Sequence, residues 1–154
     1  MKLFIDCEWN GHKGQLISMA LVPEDGDAFY EVLECATPID WVRDNVIPVL
    51  GKDPVSQEQF TERLQDFLGQ FDEDSVEVIA DWPDDIKYFC DALVARDRCN
   101  IGPGSFAMTV DRTLFNAKSK VPHNALEDAR AIRQYYLCPG DDLNNLLNNP
   151  HQHF

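Results

Sequence analysis

The sequence predicts a single α/β domain of five strands and four helices, in the order βββ-α-α-β-α-β-α. Three observations predict it. Short apolar runs separated by turns crowd the first 34 residues, which is the signature of strands at close spacing. Later segments place apolar residues three and four apart, the spacing of helices with one buried face. The chain has 154 residues, 44% of them hydrophobic, which suits one packed core. The domain is expected to span residues 1–138, with residues 139–154 as a polar tail.

The elements follow in order. Lys2–Glu8 alternates around Leu3 and Ile5 and reads as a strand. Gly11–Gly14 is a turn, and Gln15–Pro23 is a mostly apolar run that suggests a strand buried on both faces. The acidic turn Glu24–Asp27 leads to a third strand, Ala28–Glu34, and the three suggest an antiparallel meander. Thr37-Pro38 reads as an N-cap and first-turn proline, opening a short helix to about Val46. Ser56 and Gln59 form a capping-box pattern, followed by the core stripe Phe60, Leu64, Phe67, Leu68 and Phe71. Val76–Ala80 is a fourth strand. The next helix is expected from about Asp84 to Ala95, with Ile86, Phe89, Cys90 and Leu93 facing inward. Phe106–Asp111 is a fifth strand, and a last helix begins near Asn124 with Ala125, Leu126, Ala129, Ile132 and Tyr136.

Composition narrows the function. The five cysteines are odd in number and form no C-x-x-C pair, which argues against a disulfide framework or a thiolate zinc site. Free buried thiols in a reducing cytoplasm are expected. No apolar run approaches the ~20 residues of a membrane span, and MKLFIDCEW does not read as a secretory signal. Thirteen basic residues face 27 acidic ones, a formal net charge of −14. Long nucleic acid is usually gripped by a basic surface. Either nucleic acid is not the substrate, or only a few nucleotides are held, close to bound cations that invert the local charge.

Asp6 and Glu8 are the first candidates for chemistry. Two residues apart on a strand, they point to one face, ~6.6–7 Å apart along the chain. Such a pair in an apolar strand repels itself unless a cation compensates, although a solvated sheet face explains it equally well. A second acidic group, Asp81, Asp84 and Asp85, sits where a strand passes into a helix, a place that favours carboxylates in any case. The third group is His123 and Asp128 in PHNALEDAR, with Asp128 expected to face away from Leu126 and Ile132. An imidazole of near-neutral pKa suits proton transfer from water, and a surface loop histidine is the competing account. His151 and His153 belong to the polar tail, where metal binding is not expected.

Taken together, Asp6-Cys7-Glu8, Asp85 within IADWPDDIKYF, and His123-Asn124-Ala125-Leu126-Glu127-Asp128 resemble the motifs of the DEDDh subgroup of DEDD exonucleases. The motifs span residue 4 to about 137. Within the superfamily the chain is most similar to the small RNase AS type of exoribonuclease, with QLISMALV matching a strand of that group. One departure is visible: the asparagine and phenylalanine usual ahead of the second-motif aspartate are Asp81 and Asp84 here.

The resemblance implies an RNase H-like fold, a mixed five-stranded sheet with helices on both faces. It implies 3′→5′ hydrolysis of single-stranded nucleic acid, RNA rather than DNA, to 5′-mononucleotides with two Mg²⁺ or Mn²⁺ ions. Asp6 would bridge the ions, Glu8 and Asp128 would hold the ion carrying the attacking water, Asp85 would support the other, and His123 would be the general base. Cys7, Trp9, Asn10 and Trp82 would contact substrate, although Trp9 is as easily a core aromatic. The resemblance also suggests a homo-oligomer, a dimer or larger. Two rivals stand beside it: a DNA exonuclease of proofreading or phage type, and an inactive RNase H-like binding module.

Overall fold

The computed structural model describes residues 1–71, 75–94 and 102–139. Its centre is β1 (Lys2–Trp9), whose Leu3, Phe4 and Ile5 are fully buried. β2 (Leu16–Pro23) runs antiparallel beside it, and β3 (Phe29–Val32) antiparallel beside β2. On the other side β4 (Val76–Ala80) runs parallel to β1, and β5 (Phe106–Val110) parallel to β4. The protein is therefore an α/β domain with a five-stranded mixed sheet, ordered β3-β2-β1-β4-β5.

Four helices cover it: α1 (Asp40–Asn45), α2 (Gln57–Gly69), α3 (Pro83–Leu93) and α4 (Ala125–Leu137). Register divides the sheet into two faces. Leu3, Ile5 and Cys7 share one face with Met19, Leu21 and Val78, and α2 and α3 close over it through Phe60, Leu64, Leu68 and Phe89. Burying each of these large side chains contributes about 1.5–3 kcal/mol. Phe4, Asp6 and Glu8 share the opposite face with Ser18, Ala20, Val22 and Ile79. There α4 packs through Ala125, Ala129 and Ile132, and the two small alanine side chains let the helix lie close to β1 and β2.

One feature of the sheet prepares the site. β1 pairs with β2 from Leu3 to Trp9, but with β4 only from Lys2 to Phe4. From Ile5 onward the β4 side of β1 is free for other groups, because the chain leaves β4 at Ala80 and turns into α3.

Local chemistry sets the helix ends. Ser56 accepts from Gln59 N–H and the Gln59 side chain accepts from Ser56 N–H, the full capping box. Asn124 caps α4 by accepting from Glu127 N–H at 3.1 Å, while its amide donates to the carbonyls of Val49 and Leu50.

Several expectations are corrected. α1 begins at Asp40 rather than at Thr37-Pro38, and its N-cap, Ile39, supplies no side-chain hydrogen bond. The Asn10 amide donates to Thr37 carbonyl and accepts from Ile39 N–H, holding this segment extended, as the residue before a proline prefers. β3 is shorter than Ala28–Glu34: it ends at Val32, and Leu33, still donating its N–H to Ile17 carbonyl, bridges Val55 on its other side. Cys90 is exposed, and Asp85 and Tyr88 are buried on α3 instead. Of the described thiols only Cys7 is buried; Cys35 is half-buried, Cys90 and Cys138 are exposed, and Cys99 lies outside the described residues. His151, His153 and nearly all of the tail also lie outside them. Among the described residues no helix is long and apolar enough to cross a membrane.

Candidate metal centre

The free stretch of β1 carries Asp6 and Glu8 on the α4 face. Asp128, in the first turn of α4, comes down over them. One oxygen from each of Asp6, Glu8 and Asp128 lies within 4.8 Å of the others. A second trio meets the same test: Asp6, Asp81 and Asp85. Asp6 belongs to both. Its Oδ2 is buried and has no hydrogen-bond partner, a costly state for a carboxylate oxygen.

Asp85 reaches this place by a backbone contact. Its Oδ1 accepts from Cys7 N–H at 2.9 Å, on the stretch of β1 beyond the ladder with β4. Asp84 is occupied elsewhere: its Oδ2 accepts from Trp82 Nε1 at 2.9 Å, and it enters neither trio. Asp81 joins the site as an acid to which the sequence alone assigns no role. The visible signal was its position directly after an apolar strand, four residues before Asp85.

The electrostatics follow from crowding. Burial, then Asp85, Glu8, Asp128 and Asp81, push Asp6 well above the usual carboxylate range. Burial, then Asp128, raises Glu8 from its ordinary 4.5 to about 8. Burial raises Asp85 well above its ordinary value, with Asp81 adding to it and the bond from Cys7 opposing. Asp81 and Asp128 are raised as well, each chiefly by burial. Acids in this state hold protons or cations, because neither water nor neighbouring donors can stabilise so much negative charge.

His123 lines the same cleft. Its φ of 68° places a non-glycine residue in the left-handed region. Its N–H donates to Asp128 Oδ2 at 2.9 Å, and its ring stands edge-on to Trp41 with centroids 5.0 Å apart. Asp128 therefore faces β1 and lines the cleft together with Ile132 one turn on, rather than facing away from it. The contact with Trp41 joins residues 82 positions apart, and nothing local in the sequence announces it.

The cleft is open and measures about 270 Å³. Trp9, Trp82 and Phe115 border it. Trp9 is stacked on Tyr88 at 5.2 Å and packs against the main core, so it joins core and cleft. Trp82 is partly exposed, with the Arg112 guanidinium 4.0 Å above its ring and Phe115 6.4 Å away. Phe115 is 67% exposed, unusual for a phenylalanine beside a cavity. Cys7 borders the cleft while its side chain sits in the core. Asn10 is not among the residues that line the cleft, and its amide is used in holding the segment before α1.

No family model matches the chain, and no curated protein matches it either. The chemistry of the site rests on its own residues. Its donors are all carboxylate oxygens, a set suited to Mg²⁺ or Mn²⁺ and poorly suited to soft metals. The unpartnered Asp6 oxygen, at the junction of the two trios, fits a cation there.

Proposed function

We propose that this protein is a metal-dependent 3′→5′ exoribonuclease with an RNase H-like fold of the DEDDh type. It would trim single-stranded RNA to 5′-mononucleotides. The observation that carries the reading is the sharing of Asp6 between two carboxylate trios, Asp6-Glu8-Asp128 and Asp6-Asp81-Asp85. One shared carboxylate with others to either side is the donor arrangement for a pair of divalent ions. Such a pair, when bound, supplies Lewis acidity to both the attacking and the leaving oxygen of an in-line phosphoryl displacement.

The chain's own groups have distinct tasks in this reading. Glu8 and Asp128 would hold one cation with Asp6, and Asp85 and Asp81 would hold the other. His123 takes the proton of the attacking water, positioned by its backbone bond to Asp128. Trp9 and Trp82 flank the terminal base, where a stacked base gains ~1–3 kcal/mol. The cleft's modest volume suits one terminal nucleotide rather than a duplex.

The test is product analysis. A single-stranded oligoribonucleotide and the DNA of the same sequence are incubated with Mg²⁺ or Mn²⁺, with EDTA, and with the His123→Ala variant. The expected result is 5′-mononucleotides from RNA, none in EDTA, and a loss of roughly 10²–10⁴ in rate for His123→Ala. Equal cleavage of DNA moves the assignment to the DNA exonucleases. No mononucleotide with either ion, from either strand, ends the nuclease reading.

A further inference from the structure

The acidic balance of the chain is unevenly distributed. Residues 112–133 hold five of its 13 basic side chains, Arg112, Lys118, Lys120, Arg130 and Arg133, and only two of its 27 acids, Glu127 and Asp128. Lys118, Lys120 and Arg130 line an open groove of about 590 Å³ on the outer side of α4. The groove adjoins the carboxylate cleft. Ala131 lines both, and Ser119, between the two lysines, lines the cleft beside Asp128.

Of the described cations outside this segment, all but the exposed Lys13 are neutralised. Lys2, Arg43, Lys52, Arg63 and Lys87 are each paired with a carboxylate. Lys118 and Lys120 are exposed and have no carboxylate partner among the described residues. Arg130 is paired only with Glu127, on its own helix. Two unneutralised ammonium groups in a protein of net charge −14 mark a place where anions can approach a molecule that otherwise repels them.

We propose that this groove is the track for the phosphates of a single strand whose 3′ end occupies the cleft. Lys118 and Lys120 each contact a phosphate a few nucleotides upstream of the terminal one, and Arg130 lines the far wall. The direction of the strand rests on the nuclease reading; the binding of a polyanionic strand by the lysines does not. The choice of single-stranded nucleic acid over an acidic polypeptide rests on the nuclease reading of the carboxylate cleft that the groove adjoins at Ala131; the attraction of the lysines for a polyanion does not.

The experiment measures binding of a fluorescein-labelled strand of about twelve nucleotides, with cleavage-resistant phosphorothioate linkages, at several salt concentrations in Ca²⁺. The Lys118→Ala/Lys120→Ala double variant is expected to bind about tenfold more weakly near 0.1 M salt. The slope of log affinity against log salt is expected to fall by about 1.4, the value for two lost contacts to a single strand. Lys118→Arg/Lys120→Arg should retain the wild-type slope. Mn²⁺-dependent hydrolysis of bis(p-nitrophenyl) phosphate, too short to reach the groove, should be unchanged in both variants. An unchanged affinity and slope in the alanine variant overturns the proposal. So does tighter, lysine-dependent binding of a polyglutamate of equal length, which would make the groove a protein-docking site. A wild type that hydrolyses no phosphodiester yet binds the strand through these lysines keeps the track and removes the nuclease reading.

Discussion

Asp85 Oδ1 accepts a hydrogen bond from Cys7 N–H at 2.9 Å, joining α3 to β1 across 78 residues. The bond places a carboxylate beside Asp6 where the β1–β4 ladder has ended. It also separates two roles that one substitution can resolve. Asp85→Asn keeps an acceptor for Cys7 and removes the charge. We expect the metal-free Asn variant to be more stable than wild type at pH 8, by on the order of 1 kcal/mol, or roughly 2–4 °C in Tm for a chain of this size. Asp85→Ala should be less stable than Asp85→Asn, since Cys7 N–H is left without its partner. Both should lose Mn²⁺-dependent stabilisation. Thermal denaturation with and without Mn²⁺ checks this; an Asn variant less stable than wild type in EDTA would show that charge repulsion is not stored there.

The carboxylate cluster also fixes the sign of the pH response. Glu8 rises from 4.5 to about 8, by burial and then by Asp128. Asp6 and Asp85 rise in the same direction, burial first. In this window the unfolded chain has released protons that the folded chain still holds, so the unfolding free energy falls as pH increases. The stabilisation is fully present below about pH 4.5 and is lost as pH rises through about 8. Metal-free protein should therefore lose Tm steadily between about pH 5 and pH 8. Saturating Mn²⁺ should flatten or reverse the trend, because cation binding displaces the protons and strengthens as pH rises. Differential scanning fluorimetry across pH, with EDTA and with Mn²⁺, reads both slopes. A metal-free Tm that climbs over this range would contradict a buried acidic cluster.

What the sequence disclosed depended on whether a signal was local. The α2 capping box and the stripe from Phe60 to Phe71 are patterns within one element, and they appear where the spacing put them. The Asp6–Glu8 convergence is likewise a property of one strand. The start of α1 was misplaced because Asn10, 27 and 29 residues away, controls the backbone around Pro38. Asp81 has no local signal of its relation to Asp6, because the two meet only once β4 pairs in parallel with β1, Phe4 opposite Ile79, and carries both acids to the end of that ladder. The Trp41–His123 contact and the Lys118–Arg130 groove are tertiary in the same sense.

The capping box gives a control that lies away from the site. Ser56→Ala removes the oxygen that accepts from Gln59 N–H at 3.1 Å. A loss of about 1 kcal/mol is expected, lowering Tm by roughly 2–4 °C. Because α2 packs on the face opposite Asp6, Glu8 and Asp128, the Mn²⁺-induced rise in Tm should be the same as in wild type. A variant that loses the metal response along with its cap would mean that the two faces of the sheet are coupled.

His123 combines a chemical and a conformational role, and they can be tested apart. Its φ of 68° strains any residue with a Cβ. Glycine accepts that backbone but costs about 0.5–1 kcal/mol through the flexibility of the unfolded chain. His123→Gly should therefore lie within about 1 kcal/mol of wild type, with the Asp128 contact to the residue 123 N–H preserved. Both variants lose the ring packed on Trp41, but His123→Ala also keeps the strain, so it should be the less stable of the two. Both lack the imidazole, and both should lose roughly 10²–10⁴ in rate on an oligoribonucleotide. If stability separates the two variants while activity does not, the imidazole acts on the water and the left-handed backbone acts on Asp128. A glycine variant as active as wild type would remove His123 from the chemistry and leave it a positioning residue for Asp128 alone.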